Sequence, residues 1–197
     1  LGDHNQVGFL SLASISDFEK NIIKPHEKIY ESRKKERAEQ MMNLNTQIGP
    51  IYVAYQSDEH LRNLLLKQIN TPPSYDFESF DNSVHKLWCI DDKKFIKNLK
   101  NLVKNIPYLY IADGHHRMGA MEHIKTIDLA NDKFMIAAFP SNESKIFDYN
   151  RVVKDLNGLS KNQFIKILSN NFNIAKKTKP YRPTKKNEFG MYHEKQW

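Results

Sequence analysis

The sequence holds a single cysteine, Cys89. A disulfide within the chain and an all-cysteine metal cluster are therefore excluded. No apolar run approaches the ~20 residues that a membrane-spanning helix needs, so no membrane partner is expected. There is no Walker phosphate loop, protein-kinase signature or Gly-x-Ser-x-Gly elbow. No His-Glu-x-x-His or comparable spacing occurs, and His115 and His116 would point in different directions on a helix. No zinc is therefore expected; no haem or flavin is expected either. Internal repeats and long low-complexity stretches are also missing. The chain opens on Leu1 with no signal-like segment and stops at Trp197 inside a strand-like run. We expect a piece of a longer, cytoplasmic protein.

What is present is a globular composition over 197 residues: 40% hydrophobic, 27% charged, with a mean hydropathy of −0.67. That length suits one domain or a tight pair. The net charge is +7, from 30 basic and 23 acidic residues. Residues 1–100 carry 14 of each sign, so the excess lies in 101–197. The densest basic run is Lys176, Lys177, Lys179, Arg182, Lys185 and Lys186. A basic half points to an anionic partner such as a nucleotide, a phosphometabolite or nucleic acid. A compositional bias towards Lys and Asn is the competing explanation.

Apolar spacing predicts strands alternating with helices. Strands are expected at 7–13, 51–55, 84–90, 108–112, 134–139 and 189–197. A short helix is expected from a capping box at Ser16 and Glu19, ending near Pro25. Further helices are expected over 31–45, after Asp58, after Asp91-Asp92, through Met118 to Ile127, and after Ser160. The class is α/β or α+β with a mixed sheet and flanking helices. Residues 1–175 are expected to form that domain. Residues 176–197 are expected to be a basic loop and a last strand that continues beyond the chain's end. Cys89, between Trp88 and Ile90, reads as a buried hydrophobe.

The sharpest motif is Asp113-Gly114-His115-His116-Arg117, at a strand-to-helix junction. Gly114 permits a tight turn, and the amides after it sit at a helix amino terminus, which favours anions. Arg117 adds a permanently charged, bidentate phosphate clamp. His115 and His116 can donate to phosphate oxygens or move protons. Asp113 suits Mg²⁺ or a substrate hydroxyl or amine; the alternative is a plain helix cap. Upstream, His26-Glu27 lies just past a proline. Glu27 is a general base if it folds beside the anion site, and a surface carboxylate if it does not. Arg33 and Arg37, one helical turn apart, either attract phosphate or pair with Glu31, Glu36 and Glu39.

The order Lys-Pro-His-Glu, an arginine-bearing helix, Ile48-Gly-Pro-Ile-Tyr and Ile-Ala-Asp-Gly-His-His-Arg resembles the ParB/sulfiredoxin superfamily. More closely, the chain resembles the bacterial and archaeal proteins of domain-of-unknown-function family 1015. Gly8-Phe9, Leu87-Trp88, the run from Tyr149 to Leu159 and Glu188-Phe-Gly-Met-Tyr192 add to that resemblance, which spans nearly the whole chain. It implies a ParB-like α/β fold. Related free-serine kinases phosphorylate L-serine with ADP or ATP. By that resemblance, Asp113 to Arg117 would cradle nucleotide phosphates and Glu27 would deprotonate the acceptor hydroxyl. From the residues themselves we expect Mg²⁺ near Asp113 and His26, Arg33 and Arg37 as auxiliary or substrate contacts. Sulfiredoxins carry a cysteine where this chain has His115, so sulfinic-acid repair is excluded. ParB's downstream helix-turn-helix is not visible, so specific DNA binding loses ground. The expected activity is a nucleotide-dependent phosphotransferase on a small hydroxyl substrate. The alternative is a non-catalytic nucleotide-binding regulatory module, with or without nucleic-acid binding.

Overall fold

The computed structural model describes residues 4–195. Packing divides the chain into two compact units, Leu1–Ile146 and Phe147–Trp197, a division placed earlier than the 175/176 boundary expected from composition.

The first unit contains seven strands and five α-helices among its described residues. In chain order they are β1 (Phe9–Ser14), α1 (Ile15–Glu19), β2 (Ile23–Lys24), α2 (Glu31–Leu44), β3 (Ile51–Tyr55) and α3 (Glu59–Ile69). Then come β4 (Tyr75–Glu78), β5 (Val84–Leu87), α4 (Lys93–Lys104), β6 (Leu109–Asp113), α5 (His115–Ile127) and β7 (Lys133–Pro140). Five strands form one sheet in the order β1-β7-β3-β6-β2, and β4 and β5 form a separate hairpin. The main sheet is mixed: β7 runs parallel to β3 and β2 parallel to β6, while β1–β7 and β3–β6 are antiparallel.

Side-chain alternation places the core. Ile51, Val53 and Tyr55 are buried on one side of β3, alongside Leu109 and Ile111 of β6. Helices α2 and α5 pack on each other. They add Ala38 and Met41 from α2, and Met118, Met121 and Ile124 from α5. Leu61 and Leu65 of α3 and the apolar stripe of α4 join the same cluster. Gly8, just before β1, lies against β7. A Cβ there would sit 2.2 Å from the Ala138 carbonyl oxygen, so no side chain fits.

Helix starts follow their caps. Asp58 accepts from the Leu61 amide, Asp92 from the Lys94 and Phe95 amides. The expected box at Ser16 is corrected: the cap is Ser14, whose hydroxyl accepts from the Ser16 amide. The helix then ends at Glu19, well short of Pro25, because Ile23 and Lys24 are drawn into the sheet beside β6. The strand expected at 84–90 stops at Leu87. Cys89 is exposed, not buried.

The second unit contains α6 (Lys161–Leu168), opened by a full capping box of Ser160 and Gln163. None of its described residues is fully buried. The strand expected at 189–197 does not form over 189–195; residues 196 and 197 lie outside the described residues.

Candidate functional site

The turn into α5 is shaped by a bulge. Tyr52 of β3 pairs with Asp113 and Val53 with Ile111, which leaves Ala112 as an extra residue in β6. A bulge bends its strand and re-aims the side chains beyond it. Leu109 and Ile111 face the core, so strict alternation would send Asp113 inward as well. The bulge instead leaves Ala112 and Asp113 both exposed. Gly114 then turns the chain at φ +101°, where glycine is the only comfortable residue.

Gly114 caps α5 without a side chain. The first helical bond runs from the Met118 amide to the Gly114 carbonyl. The amides of His115, His116 and Arg117 therefore lie in the unsatisfied first turn, an anion-favouring position. Arg117 folds back over the turn and its guanidinium pairs with the Asp113 carboxylate. A Cβ on Gly114 would come within 2.9 Å of Arg117 Nη2. The glycine thus serves both the turn and the arginine.

Opposite this turn runs α2. Between them lies a cavity of about 360 Å³, lined by Glu27, Arg33, Arg37 and the whole stretch from Asp113 to Arg117. Every expected site residue except His26 therefore lines this one cavity. His26 stands just behind it, its ring edge-on to His115 with centroids 4.4 Å apart. Arg37 Nη1 donates to Gln40 Oε1 at 2.9 Å. Among the described residues neither arginine pairs with Glu31, Glu36 or Glu39; Glu31 pairs with Lys34 instead. The alternative in which neighbouring glutamates consume the two arginines is not what forms.

His115 is buried, at 4% exposure. Its Nε2 accepts the His26 backbone N–H at 3.2 Å, so that nitrogen carries no proton. The proton of the neutral ring sits on Nδ1, which faces Glu27 Oε2 at 3.7 Å. Burial, reinforced by the His26 ring, holds the imidazole below its ordinary value against the opposing pull of Glu27 and Asp113. Both ring nitrogens are turned towards protein groups, Nε2 to the His26 amide and Nδ1 towards Glu27, on the lining of the cavity.

The lowered value has a signature in stability. The unfolded chain takes up this proton first, near the ordinary imidazole value of about 6.5. Stability is therefore lost as pH falls through that value. We expect Tm to drop between pH 7.5 and 5.5, and His115→Gln, whose Oε1 can still accept from His26, to flatten that drop. An identical pH profile in the variant would refute a buried neutral His115.

Two atoms at the start of α5, His116 Nδ1 and Arg117 Nε, are buried without a hydrogen-bond partner. Orphaned polar atoms cost free energy unless a ligand or water meets them. The cavity also carries an apolar end, Met41 and Ile48, and a polar Gln40. Tyr30 places its ring 5.9 Å from that of His116. Sequence reading missed Gln40 and Ile48. The signal was available for Gln40, which continues the helical spacing of Arg33, Glu36 and Arg37.

One electrostatic expectation is corrected. The charge excess in 101–197 does not belong to the unit that bears this turn. Residues 1–146 carry 19 basic and 19 acidic residues. The cavity is itself balanced, with Arg33, Arg37 and Arg117 against Glu27, Glu36 and Asp113. Any preference for anions is local, set by helix-start amides and arginine placement.

No curated protein and no solved structure matches the chain. The family model described as a protein of unknown function, DUF1015, matches residues 1–197, and the chain belongs to that family.

Proposed function

We propose that this protein is a phosphotransferase acting on a small hydroxyl compound, with free L-serine the leading acceptor and ADP or ATP the phosphate donor. The observation that carries the reading is the meeting of Glu27 with the turn into α5. Its carboxylate stands 3.7 Å from His115 Nδ1, on the wall of a cavity that also holds three arginines and an open helix start. The cavity volume lies in the range of small-molecule sites. We read the mixed sheet as a ParB/sulfiredoxin-like fold and the protein as cytoplasmic.

The fit of a nucleoside phosphate is supported by the two orphaned atoms, His116 Nδ1 and Arg117 Nε. For a divalent cation, no three His, Cys, Asp or Glu side chains group to hold one among the described residues. Asp113 would share it with phosphate oxygens, the usual manner of Mg²⁺. When bound, the nucleotide and its Mg²⁺ would supply the phosphoryl group and screen its charge. The chain's own residues do the rest. Glu27 takes the proton from the acceptor hydroxyl. His115 Nδ1 faces that carboxylate from 3.7 Å and would donate to it on a small closing movement. Arg33, Arg37 and the first amides of α5 fix the donor, and phosphoryl transfer consists mostly of such positioning.

The second reading is a non-catalytic nucleotide-binding module. It draws on the Asp113–Arg117 pair, since a phosphate reaching Arg117 displaces Asp113 and moves the turn. Nucleotide consumption with L-serine and Mg²⁺, measured beside nucleotide affinity, separates the two. The kinase reading expects O-phosphoserine to form at the expense of ADP or ATP. Tight nucleotide binding with no transfer to serine or other small alcohols replaces it with the module.

A further inference from the structure

The +7 net charge of the whole chain resides in the second unit: residues 147–197 hold 11 basic and 4 acidic residues. Lysine is also denser there, 9 of 51 residues against 15 of 146 in the first unit, whose cations are matched by acids. The excess is also built into an ordered loop. Glu188, which follows the basic run in sequence, accepts three bonds through Oε2: from the Tyr181 hydroxyl at 2.8 Å and from the Thr184 and Lys185 amides at 3.1 Å each. Its charge is spent inside the turn, and those bonds lower its pKa, keeping it ionised as a fastener. Lys176, Lys177, Lys179, Lys185 and Lys186 are exposed and form no ion pair among the described residues.

Exposed rings accompany the cations. Arg182 pairs with Asp148 at 3.0 Å, which fastens the basic loop beside Tyr149. The Tyr149 ring is 79% exposed and carries the Arg151 guanidinium at 4.0 Å. Phe189, 72% exposed, adjoins Glu188 and packs edge-on to Phe172. Cations that track a backbone, interleaved with flat rings on which bases stack, are the requirements of single-strand binding. A duplex groove would need the cluster on a helix or ribbon. Here α6 offers only Lys161 and Lys166, and Lys161 is paired with Glu194. A membrane surface would call for a long amphipathic helix, and α6 spans eight residues.

We propose that residues 147–195 form a binding surface for single-stranded nucleic acid, with the loop lysines holding the phosphate backbone and Tyr149 and Phe189 stacking bases. The proposal uses none of the residues that line the cavity of the first unit, so its test does not depend on phosphotransfer.

The test titrates the full 197-residue chain into labelled single-stranded RNA and DNA of about 20 nucleotides, a duplex of equal length and phosphatidylserine vesicles, across a salt series. Single strands are expected to bind best. The logarithm of affinity should fall with that of salt by about 0.7 per phosphate contacted, or about 3 overall for four or five contacts. Lys185→Glu with Lys186→Glu should flatten that slope. Tyr149→Leu should weaken binding about 5- to 100-fold at unchanged slope, and Tyr149→Phe should restore it. No single-strand binding at low salt overturns the proposal. So does equal or stronger binding to duplex or vesicles, or indifference to Tyr149→Leu, which would mark an unselective polycation.

Discussion

Glutamine at position 27 is expected to cut phosphoryl transfer by about 10²- to 10⁴-fold, the usual worth of a positioned general base, while nucleotide affinity stays near the parent value. The substitution is nearly isosteric. The amide oxygen still faces His115 Nδ1, where Glu27 Oε2 stands at 3.7 Å, so the local packing persists. What is lost is the ability to accept a proton from a hydroxyl. The two readouts must therefore part: turnover collapses and the Kd for ADP or ATP holds. Glu27→Gln that weakens nucleotide binding in proportion to its loss of turnover removes Glu27 from the role of base.

Alanine at Gly114 carries the second large effect. The backbone there lies at φ +101°, a conformation costing a non-glycine residue about 1–3 kcal/mol. The new Cβ would also press on the guanidinium, 2.9 Å from Nη2 and 3.0 Å from Nε of Arg117. Arg117 must then leave its place over the turn, and the first amides of α5 must tilt with it. Nucleotide affinity is expected to fall about 10- to 100-fold through the displaced guanidinium and amides, and the backbone strain is expected to lower Tm. Gly158→Ala is the matched control, because Gly158 also has a positive φ, +75°, with nothing within 4 Å of a Cβ. It shares the strain and displaces no neighbouring side chain. Equal affinities for Gly114→Ala and the parent chain would show that no phosphate lies against this turn.

The parts legible in the sequence were those governed by nearby residues. The apolar run Ile51–Tyr55 is bounded by Gly49-Pro50 and by polar residues, and β3 forms over that range. Asp58, Asp92 and Ser160 announced their helices because capping acts within three residues. What stayed hidden depends on distant partners. The two residues of β2 become a strand only because β6 lies beside them. The run from Phe189 resembles a strand in pattern, but a strand needs a continuous ladder, and over 189–195 a lone bridge at His193 is all that forms. Tyr75-Asp-Phe-Glu does alternate, yet it comes after a Pro-Pro stop and reads as loop until Val84–Leu87 comes back against it. Within the site, residue types pointed to the turn 113–117. The approach of Glu27, Arg33 and Arg37 to it arises from the packing of α2 on α5, which no local spacing records. The fate of each side chain was equally non-local: His115 turned to Glu27 and His26, and Arg117 to Asp113.

The extra residue at Ala112 makes chain length a determinant here. Between the inward Ile111 and the left-handed Gly114 the count of residues fixes which way Asp113 faces. Removing one residue would restore simple alternation and drive the carboxylate into an apolar interior, away from Arg117. Adding one would shift Gly114 off the only point where the chain can turn into α5. Loops elsewhere in this protein can lengthen or shorten at little cost, but this short passage from Ile111 to Gly114 admits changes of side chain and no change of number.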